Sequence, residues 1–235
     1  MKRVQCILLV ALVSLTSAAS AEAATMFFDF GSATTQTAGN YNNVTPSMLP
    51  ILNALDLSGG GTGIGLETSG FNENGPNTAG TSSPTGDAAI FDAEATRDSL
   101  FGHSSNFNIG GPRTPGLLNF SGLDTSGLTS YTFTFLGSRI GGPNRETQYD
   151  VVGANNASVL LNAADNTSNV VNAPGILPTA AGTISVTVSA GSNNGTGADQ
   201  FFYLGALRLE SVAVPEPASI GLVLIGMAAA CLRRR

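Results

Sequence analysis

The sequence predicts an all-β fold, a single antiparallel β-sandwich of the jelly-roll type. Short segments that alternate apolar and polar residues recur along the chain, clusters of Gly, Asn, Pro and Ser separate them, and strand–helix–strand alternation is absent. The roughly 190 residues between the two ends suit one domain of this size. No sequence repeat at the period of a solenoid or propeller is present.

Two segments show the alternation most clearly. In 130–136, Tyr131, Phe133 and Phe135 share one face, and in 183–189 Ile184, Val186 and Val188 do so. Residues 47–57 look helical, but Pro50 interrupts them, so we expect a loop or short strand there. The further predicted strands are Met26–Phe30, Thr62–Thr68, Ala88–Phe91, Leu117–Phe120, Thr147–Val152, Ala157–Leu161 and Phe201–Glu210.

Residues 1–23 have the organisation of a secretory signal peptide. Lys2 and Arg3 precede an apolar run at 7–15, and small residues follow, so cleavage is expected after Ala21 or Ala23. The run is too short to span a bilayer about 30 Å thick. We therefore expect an exported protein whose β-sandwich domain occupies residues 24–213.

The last residues, 214–235, form a second signal in three parts. A Pro-Glu-Pro motif precedes an apolar run at 220–232, and three arginines end the chain. A helix of this length rises about 20 Å, which is marginal for a permanent span, and positive charges favour the cytoplasmic side. We predict a short hydrophobic sorting helix with a membrane stop signal; the motif residues are Pro215, Glu216 and Pro217, and the stop residues are Arg233, Arg234 and Arg235.

This three-part pattern resembles the PEP-CTERM sorting signal of bacterial exosortase substrates. The resemblance implies an exosortase-type membrane peptidase as partner during export, transient contact with the inner membrane, and a final place at the cell surface or in the exopolysaccharide matrix. Two prolines exclude regular helix and strand pairing, which leaves an accessible peptide for a protease. An ordinary membrane anchor that is never cleaved is the alternative.

Charge and cysteine content narrow the function classes. The chain has a net charge of −6, and between its two ends five arginines and no lysine face fourteen acidic residues, a net charge of −9. Nucleic acid is therefore excluded as a partner, because phosphate binding needs clustered basic residues. Both cysteines, Cys6 and Cys231, lie in the terminal signals, so we expect no disulfide in the domain.

Catalytic motifs are not evident, and we expect no enzyme activity and no catalytic residue. A Ser–His–acid triad would need His103, the only histidine, which lacks a nucleophile-elbow context and is expected to be a solvated loop residue. One histidine without cysteines does not suit zinc. The glycine-rich segment 59–65 lacks the lysine of a phosphate-binding loop.

Four acidic residues close together form a candidate calcium site. Carboxylate oxygens near a strand end suit calcium, a hard cation that is plentiful outside cells. The alternative is a solvated acidic edge in which Arg97 pairs with a neighbour. The candidate ligands are Asp87, Asp92, Glu94 and Asp98.

Sugar recognition needs an aromatic surface beside fixed polar groups. Two segments offer this combination, although the chain has no tryptophan. The alternatives are packing for the tyrosine and a structural ion pair for the neighbouring arginine and glutamate. The candidate glycan-binding residues are Tyr41, Asn43, Arg139, Arg145 and Glu146.

Five segments, 28–31, 39–45, 131–139, 145–149 and 203–210, together resemble galactose-binding-like jelly rolls of secreted bacterial proteins. The resemblance implies a carbohydrate-binding or accessory module, with extracellular polysaccharide as partner. Two alternatives remain open. One is a structural envelope or matrix protein without a defined ligand, and the other is a small carbohydrate-active hydrolase or esterase.

Overall fold

A computed structural model describes residues 23–46, 49–107 and 111–214. Twelve strands and one short α-helix account for most of the regular structure in these residues. Two short 3₁₀ helices cover Gly86–Ile90 and Gly197–Asp199. The other elements, in chain order, are β1 (Thr25–Phe30), β2 (Asn42–Val44), β3 (Gly65–Ser69), α1 (Ala93–Thr96), β4 (Leu100–Gly102), β5 (Gly116–Ser121), β6 (Thr129–Leu136), β7 (Glu146–Val152), β8 (Asn156–Asn162), β9 (Val171–Ile176), β10 (Ile184–Ala190), β11 (Phe202–Leu204) and β12 (Ala206–Ala213).

The strands form two five-stranded sheets and a two-stranded ribbon. Sheet 1 has the order β2-β1-β12-β6-β9, sheet 2 has the order β3-β5-β10-β7-β8, and β11 pairs with β4 in the ribbon. Four antiparallel pairs are nested along the chain: β1 with β12, β5 with β10, β6 with β9, and β7 with β8. Rolling one long hairpin across two sheets produces this nesting, which is the jelly-roll topology. The predicted fold class is confirmed.

The core lies between the inner faces of the two sheets and is rich in phenylalanine. Phe133 and Phe135 of β6 are fully buried, as their alternation predicted. The Phe135 ring stacks on Tyr149 of the opposite sheet with centroids 4.5 Å apart, and Phe120 meets Phe133 edge to face at 5.4 Å. Burial of these large apolar rings is the main source of stability, since the domain has no disulfide in its described residues.

Three strands were not predicted, and one long predicted strand is divided. In β9, Pro174 and Gly175 lie where the pairing of β6 with β9 shifts register, and Gly175 has a φ of 69°. Such residues weaken the sequence signal of a strand but are tolerated at a bulge. Gly205 divides the predicted strand 201–210 into β11 and β12. The other unpredicted strands, β2 and β4, have only three residues each.

The predicted strand Ala88–Phe91 is wrong. This segment is a 3₁₀ helix over Gly86–Ile90 that leads into α1. Ala88 and Phe91 are buried against the outer side of sheet 1, while Ile90 between them is partly exposed. A spacing of three residues between buried positions is helical, and in so short a segment it is easily mistaken for a strand.

The chain enters and leaves the sandwich at the same end. Thr25 begins β1 and pairs with Glu210 near the end of β12, and the backbone N–H of Val214 donates to the carbonyl of Leu128 just before β6. We call this the terminal end. The opposite end, where β6 finishes at Leu136 and β12 begins, is called the distal end. The eight residues of β6 separate the two ends by about 25 Å.

The predicted signal peptide at 1–23 lies outside the described residues except for its last residue. Of the predicted sorting signal at 214–235, residues 215–235, with the Pro-Glu-Pro motif and the three arginines, also lie outside them. Within residues 23–46, 49–107 and 111–214, no helix has both the length and the apolar character needed to cross a membrane.

Candidate functional site at the distal end

The ribbon of β4 and β11 carries aromatic side chains on its outer face. Phe101 pairs directly with Tyr203, and their rings stack with centroids 6.1 Å apart. Side chains alternate along a strand, so the neighbouring Phe202 and Leu204 point to the other side and join the core. The ribbon therefore directs this pair of stacked rings away from the main core and into a second, smaller hydrophobic cluster, in which both rings are buried.

Two further phenylalanines extend this pair towards solvent. Phe201 precedes β11 and meets Phe107 edge to face with ring centroids 4.8 Å apart. Phe107 also lies 6.4 Å from Phe101, and it is 53% exposed. We call the four rings Phe101, Phe107, Phe201 and Tyr203 the aromatic row.

Arg139 and Arg145 approach the aromatic row from the loop between β6 and β7. The Cζ atom of Arg145 lies 5.8 Å from the centroid of the Tyr203 ring, within the range of a cation–π contact. Its guanidinium donates to the carbonyl of Gly141. Gly142 has a φ of 97°, and a Cβ atom there would lie 2.5 Å from the guanidinium. The diglycine turn thus leaves the space that the Arg145 side chain fills.

The guanidinium groups of Arg145 and Arg139 both lie close to the hydroxyl of Tyr203. Burial raises the pKa of Tyr203, whereas the positive charges and hydrogen bonds of Arg145 and Arg139 lower it. The buried Nε of Arg145 has no hydrogen-bond partner among the described residues. The structure therefore brings together the two predicted arginines, at a tyrosine that the sequence did not single out.

Glu146 follows Arg145 in sequence, but its carboxylate faces a different loop. Oε1 accepts a hydrogen bond from the backbone N of Asn193 at 2.9 Å, and Oε2 accepts from Nδ2 of the same residue at 3.1 Å. No ion pair between Glu146 and Arg145 is present in the described structure. Glu146 thus holds the turn that follows β10, and its predicted role as a ligand contact stays a prediction.

Tyr41 and Asn43 lie in a different part of the domain from the arginines. The ring of Tyr41 packs on Phe27 with centroids 5.3 Å apart, and its hydroxyl accepts a hydrogen bond from the backbone N of Asp92. Asn43 exchanges hydrogen bonds with both the N–H and the carbonyl of Thr37, at 2.8 and 3.0 Å. These contacts hold loops together at sheet 1, as the packing alternative for the tyrosine anticipated.

His103 is fully buried, so the expectation of a solvated loop histidine was wrong. Nδ1 lies 2.8 Å from the carbonyl oxygen of Ser105 and therefore carries the proton. The buried Nε2 has no hydrogen-bond partner among the described residues, and the ring packs against Phe107 and Phe201. The Ser105 hydroxyl donates to Asp199 instead of approaching the imidazole.

The four candidate calcium ligands do not gather into one site. Asp87 is exposed, and Asp92 caps α1 by accepting from the backbone N of Glu94. Glu94 pairs with Arg97 at 2.8 Å, as expected for an acidic edge. Asp98 is buried, and its carboxylate accepts hydrogen bonds from Ser32 and Thr35 instead. In the part of the chain that the structure describes, no three acidic, histidine or cysteine side chains are placed to hold a metal ion.

Two buried carboxylates contact the loop that follows β1. Oδ2 of Asp29 accepts from the N and Oγ1 of Thr37 at 3.0 and 2.8 Å, and Oδ2 of Asp98 accepts from the N of Ser32 and Oγ1 of Thr35. Each Oδ1 is buried without a hydrogen-bond partner in the described residues. Burial raises the pKa of both carboxyls, that of Asp29 from 3.8 to about 6.

The aromatic row was not predicted from the sequence, although one signal of it is present there. Phe201, Phe202 and Tyr203 are consecutive, and alternation along a strand places the first and third on one face. If Phe202 enters the core, the other two must face away from it. Phe101 joins the row through strand pairing across about 100 residues, and Phe107 joins it through a ring contact with the equally distant Phe201, so neither had a local signal.

Comparison with known proteins identifies the C-terminal segment. Residues 213–235 match the family model described as the PEP-CTERM protein-sorting motif. No curated protein sequence matches the chain. The match covers the predicted Pro-Glu-Pro motif, the apolar run and the terminal arginines.

Two solved structures are similar to the chain. TmCBM61, a carbohydrate-binding module solved in complex with β-1,4-galactotriose, is 15% identical over 61% of this chain and 86% of its own length, with a TM-score of 0.31. An exo-β-1,3-galactanase from Phanerochaete chrysosporium, solved with galactose, is 17% identical over 65% of this chain, with a TM-score of 0.25. The similar region spans 31% of that galactanase. The chain therefore combines a jelly-roll domain with a C-terminal PEP-CTERM protein-sorting motif, which marks it as an exported protein processed by an exosortase.

Proposed function

We propose that the jelly-roll domain is a non-catalytic glycan-binding module displayed at the cell surface or in the exopolysaccharide matrix. The observation that carries this proposal is the aromatic row. It ends in the exposed ring of Phe107 and lies beside the guanidinium groups of Arg139 and Arg145.

This combination suits the two kinds of surface on a sugar. The C–H groups of a pyranose ring pack on an aromatic face, and its hydroxyls exchange hydrogen bonds with fixed polar groups. Phe107 and Phe201 offer the apolar contact. Arg145 offers N–H donors held in place by Gly141 and Tyr203, so little side-chain freedom is lost on binding.

The position of the row in the domain also favours display. The sorting motif follows β12 at the terminal end, whereas β11 and the loop between β6 and β7 lie at the distal end. About 25 Å of sandwich separates the two ends. A chain held by its C-terminal segment thus carries the aromatic row on the side that faces away from the attachment point.

The absence of catalysis is part of the proposal. His103, the only histidine, is buried, and its Nδ1 proton is directed to a backbone carbonyl. The neighbouring Ser105 hydroxyl donates to Asp199, so these three residues are not arranged in the order that a hydrolytic triad needs.

Glycan binding is tested with the exported chain solubilised in a neutral detergent, on an array of neutral and acidic polysaccharides. We expect retention on at least one glycan, and about tenfold weaker affinity for Phe107→Ala because a central aromatic contact is lost. Leu57→Ala is the matched control, since Leu57 is 62% exposed at the terminal end. Its affinity should equal that of the wild type.

Two outcomes would contradict the proposal. Retention on no glycan would favour a structural envelope protein without a defined ligand. Release of reducing sugar from the arrayed glycans, or of a carboxylic acid from their ester groups, that is lost in His103→Ala would instead indicate a hydrolase.

A further inference from the structure

Arg139 and Arg145 are the cations of the described domain that have no acidic partner. Five arginines lie between the terminal signals, and the three other members form the ion pairs of the described residues. These pairs are Arg97 with Glu94, Arg113 with Glu73, and Arg208 with Glu210. In a domain with fourteen acidic residues, two arginines of the same loop that both lack an acidic partner need a separate explanation.

Acidic side chains are present near this loop, but they accept hydrogen bonds from neutral donors. Glu146 accepts from Asn193, and Oδ1 of Asp165 accepts from the backbone N of Gly141 at 2.7 Å. Asp199, near the Phe107 end of the row, accepts from the Ser105 hydroxyl. None of the three forms an ion pair with Arg139 or Arg145 in the described structure. Neither guanidinium therefore has an ion-pair partner among the described residues.

The guanidinium groups also retain unused donors. Each carries five N–H bonds. Arg139 donates to the carbonyl of Ile140, Arg145 donates to that of Gly141, and both approach the Tyr203 hydroxyl. The Nε of Arg145 donates to no described group. Carboxylates and sulfates are the acceptors that fit such a fork best, because they take two charge-assisted hydrogen bonds at once.

We propose that the sugar recognised at the distal end is negatively charged, with a carboxylate or sulfate group that the two unpaired arginines bind while the ring packs on the aromatic row. This inference rests on the proposed glycan-binding function and narrows it to acidic polysaccharides. A neutral sugar would leave two partly buried charges without a counterion, whereas an anionic sugar supplies one.

The test compares four immobilised polymers with the exported chain in neutral detergent. Polygalacturonate carries the carboxylate, and its methyl ester has the same rings without the charge. Dextran sulfate carries the other anion, and polyglutamate carries carboxylates without a sugar ring. We expect binding to polygalacturonate or dextran sulfate that exceeds binding to the methyl ester and to polyglutamate about tenfold or more. The stronger of the two identifies the anion.

Variants connect the binding to these residues. Arg145→Gln and Arg139→Gln should each weaken binding about tenfold, since each removes a charged hydrogen-bond donor. Arg97→Gln has the same charge change at an exposed, paired arginine and should leave binding unchanged. Thermal unfolding of all three variants checks the fold, and Arg145→Lys, which keeps the charge, should recover part of the loss.

The outcomes separate this inference from the proposed function. Equal or stronger binding to the methyl ester, or to neutral glycans on the array, overturns the acidic-sugar inference and leaves glycan binding intact. Equal binding to polyglutamate, or an equal loss in Arg97→Gln, also overturns it by showing attraction to polyanions in general. Binding to no polysaccharide overturns both.

Discussion

Replacing Asp29 by Asn should remove a pH dependence of stability that this buried carboxyl creates. Desolvation raises the pKa of Asp29 from 3.8 to about 6. Because the folded state holds the proton more tightly than the unfolded state, the stabilisation is complete below pH 3.8 and is lost as the pH rises through about 6. The interval between the two pKa values corresponds to about 3 kcal/mol of unfolding free energy.

Urea unfolding of the wild type and Asp29→Asn between about pH 4 and pH 7.5 measures this effect. The asparagine oxygen can accept both hydrogen bonds from Thr37, and the side chain cannot ionise. We therefore expect the free energy of unfolding of the variant to increase relative to that of the wild type as the pH rises. Above pH 6 it should be the more stable protein, by up to about 3 kcal/mol.

Asp124→Asn is the control with the opposite sign. Hydrogen bonds from Thr129 and Ser126 lower the pKa of Asp124, so this carboxylate stabilises the fold above its unfolded pKa and loses that contribution as the pH falls. The variant should be less stable than the wild type at neutral pH. If Asp29→Asn keeps the pH slope of the wild type, or is the less stable protein at about pH 7.5, burial does not raise the pKa of Asp29.

Three further substitutions test the core and the ribbon by denaturant unfolding. Tyr149→Phe removes the 2.7 Å hydrogen bond to the buried carbonyl of Tyr203 and should cost about 1 to 3 kcal/mol; no loss would mean that water replaces the hydroxyl. Gly102→Ala would place a Cβ atom 2.0 Å from the Phe202 ring and should destabilise the ribbon, so unchanged stability would contradict the packing. Phe133→Ala should cost about 3 to 5 kcal/mol, and a loss below about 1 kcal/mol would place Phe133 outside the core.

Most strands of the sandwich could be predicted from local pattern. The alternating residues of β6 and β10 were assigned to the correct face because one sheet face is buried and the other contacts solvent or loops. The pattern failed where other forces set the conformation. In β9 a bulge accommodates Pro174 and Gly175, and at 88–91 a loop packed on sheet 1 needs a helical spacing.

The candidate site was predicted in part. Arg139 and Arg145 were singled out because polar residues close together in one loop are visible in the sequence. Tyr149 lay near them in the chain, but it is fully buried in the core. The tyrosine that they approach is Tyr203, about 60 residues away in sequence, which pairing of β11 with β4 and hydrogen bonds to β7 bring to the distal end.

Composition and local pattern were enough to predict the all-β class, the C-terminal sorting motif and the acidic, lysine-free character of the domain. These properties depend on composition and on the order of neighbouring residues, and both are visible in the sequence without knowledge of the fold. Only the folded domain shows which aromatic rings turn away from the main core, which arginines lack an acidic partner, and that both groups lie at the end opposite the sorting motif. Those features depend on contacts between strands that are distant in the chain, and such contacts are set by the burial of the whole core.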